Sequence, residues 1–306
     1  MELFIKILKR VLLAAVSLFA IVTITFFLMN LMPGDPFMSD KASKATQEAL
    51  RAKYGLDQPV YIQYIKYLGA LFQGDMGNSY VLQKGRPIFA IVTGGFSVSL
   101  KLGIRALLLA ICIGVPLGCL AGLKKDRPAD GIIRVFSAIG ISVPGYVVAA
   151  VLMLVFAVQT HLLPTSYNKP GGEIMPMLVL SIYPTCYLIR LTRASVLEVL
   201  NQDYLRTERA KGMTEFTVIY VHALKNSLIP IITYLGPLTA SILTGGFVAE
   251  SVFNVPGLGR YFVSAISSRD YTLILGTTIF YAALIIFMNL ICDVLYQIVD
   301  PRIKLD

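Results

Sequence analysis

The chain has 306 residues, 56% of them hydrophobic and only 15% charged, and a mean hydropathy of +0.71. One water-soluble core of this size does not hide so much apolar side chain, which argues against a soluble globular domain and for burial in lipid. A formal net charge of +9 would suggest nucleic acid as a partner in a soluble protein; here the basic residues flank apolar stretches, so no nucleic acid is expected and a membrane accounts for the charge.

Stretches without charged side chains run over residues 11–32, 106–123, 135–160, 174–189, 226–249 and 271–292. A membrane-crossing helix needs about 20 apolar residues, so five of the six qualify by length. The expected fold class is therefore all-α, a polytopic bundle of six transmembrane helices. Residues 1–10, with Lys6, Lys9 and Arg10, precede the first span at 11–32. A signal peptide is the competing reading, but the apolar run is too long and ends in Asn30-Leu31-Met32-Pro33-Gly34-Asp35-Pro36 rather than at small residues.

Residues 33–96 then form an extracytoplasmic segment with short helices of its own. Pro59 suits a first helical position, Tyr61, Tyr64, Ile65 and Leu68 follow at helical spacing, and Gly74 is a stop. Residues 38–53 are polar, and helix and loop are equally compatible with them. The core domain, residues 97–306, carries spans two to six. At its outer end Lys101 and Arg105 lie one turn apart and share a face. They either snorkel to the interface or face a substrate pathway.

The third stretch, 135–160, reads as one span. The fourth, 174–189, is short and carries Pro176 and Pro184; it needs Gly171 and Gly172, or the turn around Arg190, to complete a crossing. Tyr183 and Tyr187 on it either pack in the bundle or line a cavity. Gly245 and Gly246 in the fifth allow close helix packing. Glu250 and Asp293, at the ends of the last two spans, read as interfacial or paired structural charges, and His222 as packed at the inner membrane surface.

Orientation follows from the short loops. With the N-terminus inside, the inner segments hold Lys124, Lys125, Arg127, Arg134, Arg190, Arg193, Arg206, Arg209, Lys211, Lys225, Arg302 and Lys304, against Lys169, Arg260 and Arg269 in the two short outer loops. That asymmetry places both termini in the cytoplasm. Cys112, Cys119, Cys186 and Cys292 all fall in apolar stretches, as small buried hydrophobes do, and His161 and His222 are too few for a histidine-built metal centre.

The inner loop at 201–225 carries the most specific signal. Asp203 can cap a short helix running to Lys211, and Gly212 suits the left-handed position that ends it. Thr214 can cap a second helix with Glu215 in its first turn, and Phe216, Ile219, Tyr220 and Ala223 make an apolar stripe along it. The unit is a helix, a glycine turn and an interfacial helix leading into span five, open to a cytosolic partner. No G-x-x-x-x-G-K-[ST] sequence occurs anywhere in the chain, so the usual phosphate cradle is absent.

These residues resemble the EAA loop of ABC importer permeases, whose short coupling helix sits in a groove on an ATPase subunit. The triplet letters are absent here. Arg206-Thr207-Glu208-Arg209-Ala210-Lys211-Gly212 and the later His222-Ala223-Leu224 instead resemble the oligopeptide/dipeptide branch, with Glu208 where that branch usually has Ala. Leu31-Met32-Pro33-Gly34-Asp35-Pro36, Tyr54-Gly55-Leu56-Asp57-Gln58-Pro59, Gly74-Asp75-Met76-Gly77, Gly257-Leu258-Gly259 and Asp300-Pro301-Arg302 extend the resemblance over essentially the whole chain, closest to the B-type subunit of oligopeptide importers.

The resemblance implies a type I ABC importer permease fold and a non-catalytic subunit in the cytoplasmic membrane of a prokaryote. The implied partners are a second homologous permease, two ABC ATPase subunits that bind ATP and Mg, an extracytoplasmic peptide-binding protein, and peptide, with dipeptides, glutathione or nickel chelates as alternative cargo. Asp203, Arg206, Thr207, Glu208, Arg209, Ala210, Lys211, Gly212, Met213 and Thr214 would form the ATPase-coupling site; Lys101, Arg105, Tyr183 and Tyr187 are pathway candidates. No cofactor is expected on this chain. A secondary transporter is the rival class, but it calls for internal repeats and midplane coupling charges that the sequence does not display.

Overall fold

The computed structural model describes residues 2–31 and 44–299. Among them the chain is helical, with one isolated β-bridge between Asn78 and Pro87. Five helical runs are long and apolar enough to cross a membrane, Leu12–Leu31, Ile88–Leu123, Ile174–Leu200, Thr217–Val252 and Tyr271–Ile291, and a bent pair brings the number to six if it counts as one span. The chain divides into two compact bodies, residues 1–98 with 256–286 and residues 99–255 with 287–306.

The first body holds α1 (Glu2–Leu31), α2 (Lys44–Tyr54), α3 (Val60–Phe72), the start of α4 (Ile88–Leu123), α12 (Leu258–Ser268) and the first part of α13 (Tyr271–Val299). Its core gathers Phe26, Met29, Ile88, Ile91, Leu258 and Leu273. The polar stretch ahead of Gly55 forms α2, while residues 38–43 lie outside those described. Pro59 sits just before α3 with extended backbone instead of opening it. The expected α3 stripe is also split: Tyr64 and Tyr67 pack on the core beside Phe26, whereas Tyr61 and Ile65 are exposed. The hydroxyls of Tyr64 and Thr23 lie 2.6 Å apart, which selects the Tyr64 face.

Asp270 organises this body. Its carboxylate accepts hydrogen bonds from the Ser79 hydroxyl at 2.5 Å, from the backbone N–H groups of Tyr80, Val81 and Leu82 at 3.1, 3.0 and 3.0 Å, and from the Thr272 hydroxyl at 3.1 Å. It also accepts from the Leu273 N–H at 3.4 Å, the position an N-cap residue serves, so one fully buried side chain starts α13 and pins the 79–82 loop to it.

The second body holds the rest of α4, α5 (Pro128–Ser142), α6 (Gly145–Leu152), α7 (Ile174–Leu200), α8 (Asp203–Ala210), α9 (Leu224–Ser227), α10 (Ile229–Gly245), α11 (Phe247–Val252) and the end of α13. The expected span at 135–160 is sharply bent and not one straight helix. α5 and the α6 run, which continues as a π-helical turn over Met153–Gln159, meet at 103°. Pro144 is the cause: it takes φ −60° and ψ 140° and holds Val143 extended at ψ 123°, so neither continues a helix.

The fourth span is also longer than expected. α7 runs through Pro184 to Leu200, so Arg190 and Arg193 sit on a helix and not in an inner loop. Small residues seat it against α4. A Cβ added at Gly118 would lie 2.5 Å from Thr192 Cβ, and one at Gly114 2.8 Å from Leu188 Cβ; Gly122 faces Val196 equally closely. These glycines recur every fourth residue, one stripe down α4 that lets two backbones approach. Buried Asp130 ties α5 to α7 through two hydrogen bonds from Arg193, at 2.7 and 2.9 Å. Glu250 is likewise buried and accepts from the Ser99 hydroxyl at 2.6 Å; the surroundings of Gly245 and the side chain of Asp293 lie outside what is described.

Candidate coupling site

The helix expected near Asp203 is α8, with two differences at its start. Gln202, extended at φ −76° and ψ 142°, holds the cap position, and Asp203 is the first helical residue. Asp203 therefore caps nothing; its carboxylate favours the positive helix end and lies 3.4 Å from Arg206. At the other end Gly212 adopts φ +82°. The Gly212 N–H donates to the Arg209 carbonyl at 3.0 Å and the Met213 N–H to the Glu208 carbonyl at 3.4 Å, the paired bonds of a Schellman stop. Nothing lies within 4 Å of a Cβ built on Gly212, so only its backbone conformation demands glycine.

Thr214 is the next cap, with Oγ1 accepting from the Thr217 N–H at 3.3 Å. Across the turn the Arg209 guanidinium bonds the Glu215 carboxylate at 2.7 Å, and this contact raises the Arg209 pKa above its ordinary value. The turn is thus closed by backbone, cap and ion pair together.

What holds the unit to the membrane helices differs from the expected stripe. The residues from Thr217 to Ala223 wind as a π-helix, and the buried side chains are Val218 and Ala223, five apart, packed with Leu205 of α8. Phe216 and Tyr220 stack on each other at 4.7 Å and are exposed, so of the apolar stripe only Ala223 is buried within the chain. Asn226 donates to the Tyr204 hydroxyl at 2.8 Å, and the Ser195 hydroxyl to the Ser227 carbonyl at 2.8 Å. Glu208, which stands where the resembled branch usually has Ala, is half-buried, 3.1 Å from His222 Nε2. Arg206, Thr207, Ala210, Lys211 and Met213 remain on the exposed side.

The pathway candidates fall into two places. Arg105, midway along α4, is bonded to Glu173 just ahead of α7, and Lys101 is exposed one turn away. Tyr183 and Tyr187 lie on α7 itself, about 15 and 21 Å further along from Glu173 at about 1.5 Å per residue. Their rings are 6.4 Å apart, and Tyr187 stacks at 4.4 Å on Tyr234. No cluster of metal-ligating side chains occurs among the described residues.

The described residues thus form a helical chain with several membrane-length spans and a capped, glycine-stopped helix exposed beside them, and the sequence comparisons say to which class it belongs. Residues 114–305 match the family "Binding-protein-dependent transport system inner membrane component", and residues 3–88 match its N-terminal companion. The chain belongs to this family and is a multi-pass inner membrane protein. It is 41% identical over 299 residues to the dipeptide transport system permease protein DppB of Bacillus subtilis (strain 168), covering 97% of each chain. It is also 41% identical over 302 residues to the oligopeptide transport system permease protein OppB of Salmonella typhimurium, covering 97% of this chain and 98% of that one. Among solved structures, an amino acid ABC transporter crystallised with histidines aligns with TM-score 0.56 at 15% identity, over 67% of this chain and 92% of that one. The inward-facing MetNI methionine ABC transporter aligns at 0.52 and 15% identity, over 71% and 98%. The fold is therefore that of ABC importer permeases, as the resemblance implied.

Proposed function

We propose that this chain is the permease subunit of a peptide importer, pairing with a second permease to form the pathway and passing on the work of separate ATPase subunits that bind ATP and Mg. A binding protein outside the membrane delivers peptide, both termini lie in the cytoplasm, and α8 with its glycine turn is the surface that meets an ATPase. The observation that carries the reading is near-full-length similarity to permeases of both dipeptide and oligopeptide systems. The self-closed turn at Gly212 supports the coupling role, because a rigid element tied to α7 and to the run into α10 transmits displacement without bending. Lys101, Arg105, Tyr183 and Tyr187 are proposed as pathway residues.

The test is competition uptake in a strain lacking the chain, with peptides of graded length, glutathione and nickel chelates as competitors. Peptide of at least one length should compete, and ATPase subunits should copurify with the chain in detergent. Uptake by the chain alone, without an ATPase, would contradict the reading and favour a secondary transporter. For topology, Lys125→Cys should resist and Lys169→Cys accept an impermeant thiol reagent added to intact cells; outside labelling at position 125 would reverse the orientation.

A further inference from the structure

On α7, Tyr183, Tyr187 and Arg190 follow at spacings of four and three and so share one face. A cleft of about 330 Å³ opens along them, closed on the other side by Ile141. A second cleft, of about 400 Å³, shares Arg190 and is lined as well by Arg134, Ser137 and Arg193. Three guanidiniums thus border one recess. The acid beside them, Asp130, is fully buried and takes both of its short bonds from Arg193. Arg134 reaches it only at 3.5 Å with its side chain 54% exposed, and Arg190 is exposed. Asp126 also acts on Arg193, so against Asp130 and Asp126 the three guanidiniums leave positive charge over at this end of α7, unlike the other end, where Glu173 answers Arg105.

Exposed guanidiniums at the inner end of a membrane helix are free to meet an anion. The tyrosines line the adjoining cleft, which shares Arg190 with this recess: Tyr187 is fixed by its stack on Tyr234, while Tyr183 is half exposed. Guanidinium groups that bind a carboxylate next to rings that pack a side chain are complementary to the end of a peptide.

We propose that the α5–α7 cleft is a subsite for the C-terminal carboxylate of the transported peptide, held by Arg190 and Arg134 with the adjacent side chain against Tyr183 and Tyr187. This rests on the peptide-import reading above. A lipid phosphate carries the same charge, so the test must separate the two. The whole complex, reconstituted in purely zwitterionic vesicles, is given a peptide as its free acid and as its C-terminal amide. In Arg190→Gln and Arg134→Gln the acid-to-amide uptake ratio should fall roughly tenfold in each, the weight of one charge-assisted contact. A ratio that does not move overturns the proposal. So does a shift that appears only when anionic lipid is added, which assigns the site to a phosphate, or dissociation of the Arg190→Gln complex on gel filtration, which assigns Arg190 to an acid of the second permease. Wild-type complex that imports neither form contradicts the peptide-import reading itself and takes the subsite with it.

Discussion

Asp270 and the Gly212 turn are both places where a helix end is fixed, and they are built in opposite ways. Around Asp270 the chain satisfies one buried carboxylate entirely from within, using a hydroxyl and backbone groups close to 190 residues away in sequence. Around Gly212 it closes the backbone with two bonds and one ion pair and leaves Arg206, Thr207, Ala210 and Met213 outward. Saturation from within serves stability; under the proposed coupling role, outward side chains on a rigid frame serve a partner. Substitutions at the first place should therefore cost folding and those at the second should cost coupling.

The largest loss of stability is expected for Asp270→Ala, which leaves several buried N–H groups and the Ser79 hydroxyl without an acceptor. Given 1–3 kcal/mol for each unsatisfied buried group, and some relaxation, about 3 kcal/mol should be lost in denaturant unfolding of the detergent-solubilised protein. A loss below about 1 kcal/mol would show that the 79–82 loop is held by something else.

Next comes Gly118→Ala, where the added Cβ meets Thr192 Cβ and the Ile189 carbonyl oxygen at 2.8 Å. Overpacking should cost about 1–3 kcal/mol. Gly131→Ala is its control, since nothing lies within 4 Å of that Cβ and α5 should gain a few tenths to about 1 kcal/mol from the better helix former. Equal effects at the two positions would remove the close α4–α7 approach from the account.

A smaller effect is expected from acid. Burial pushes the Asp270 carboxyl up, but the Ser79 hydroxyl and the Leu82, Val81 and Tyr80 N–H groups outweigh it and hold its pKa below the ordinary value. A carboxylate depressed in the folded state adds stability that is fully present above its unfolded pKa of about 3.9 and lost as pH falls through the folded value. The stability gap between wild type and Asp270→Asn should be flat from about pH 7 to 5 and shrink below about pH 4. A gap that grows toward acid would mean that the folded carboxyl has a raised pKa.

The spans and the glycine turn were legible because both depend on local pattern: charge-free length for the first, and a glycine after a short polar helix for the second. The bend at Pro144 carries a signal as well, since a Pro-Gly pair interrupts the stretch, but hydropathy passes over it. The glycines of α4 stand four apart in the sequence, yet only the neighbouring Thr192 and Val196 show which face they serve. That Val218 packs inward beside Ala223 was not legible, because hydrophobic periodicity presumes 3.6 residues per turn and the π-winding does not keep it. Asp270, immediately ahead of the last span, has the chemistry of a cap, whereas its tie to Ser79 joins positions no local pattern connects. Glu208 facing His222 and Arg193 facing Asp130 are missed for the same reason: charge counting treats each as one more inner or polar residue.

Gly212→Val tests the central claim most directly, because it strains one backbone position by about 1 kcal/mol, displaces no neighbour and should barely alter thermal stability. In the reconstituted complex, the account predicts that peptide binding to the extracytoplasmic receptor is unchanged while ATPase subunits are lost or their substrate-stimulated hydrolysis no longer drives uptake. Wild-type uptake with fully retained, substrate-stimulated ATPase in that variant would contradict it.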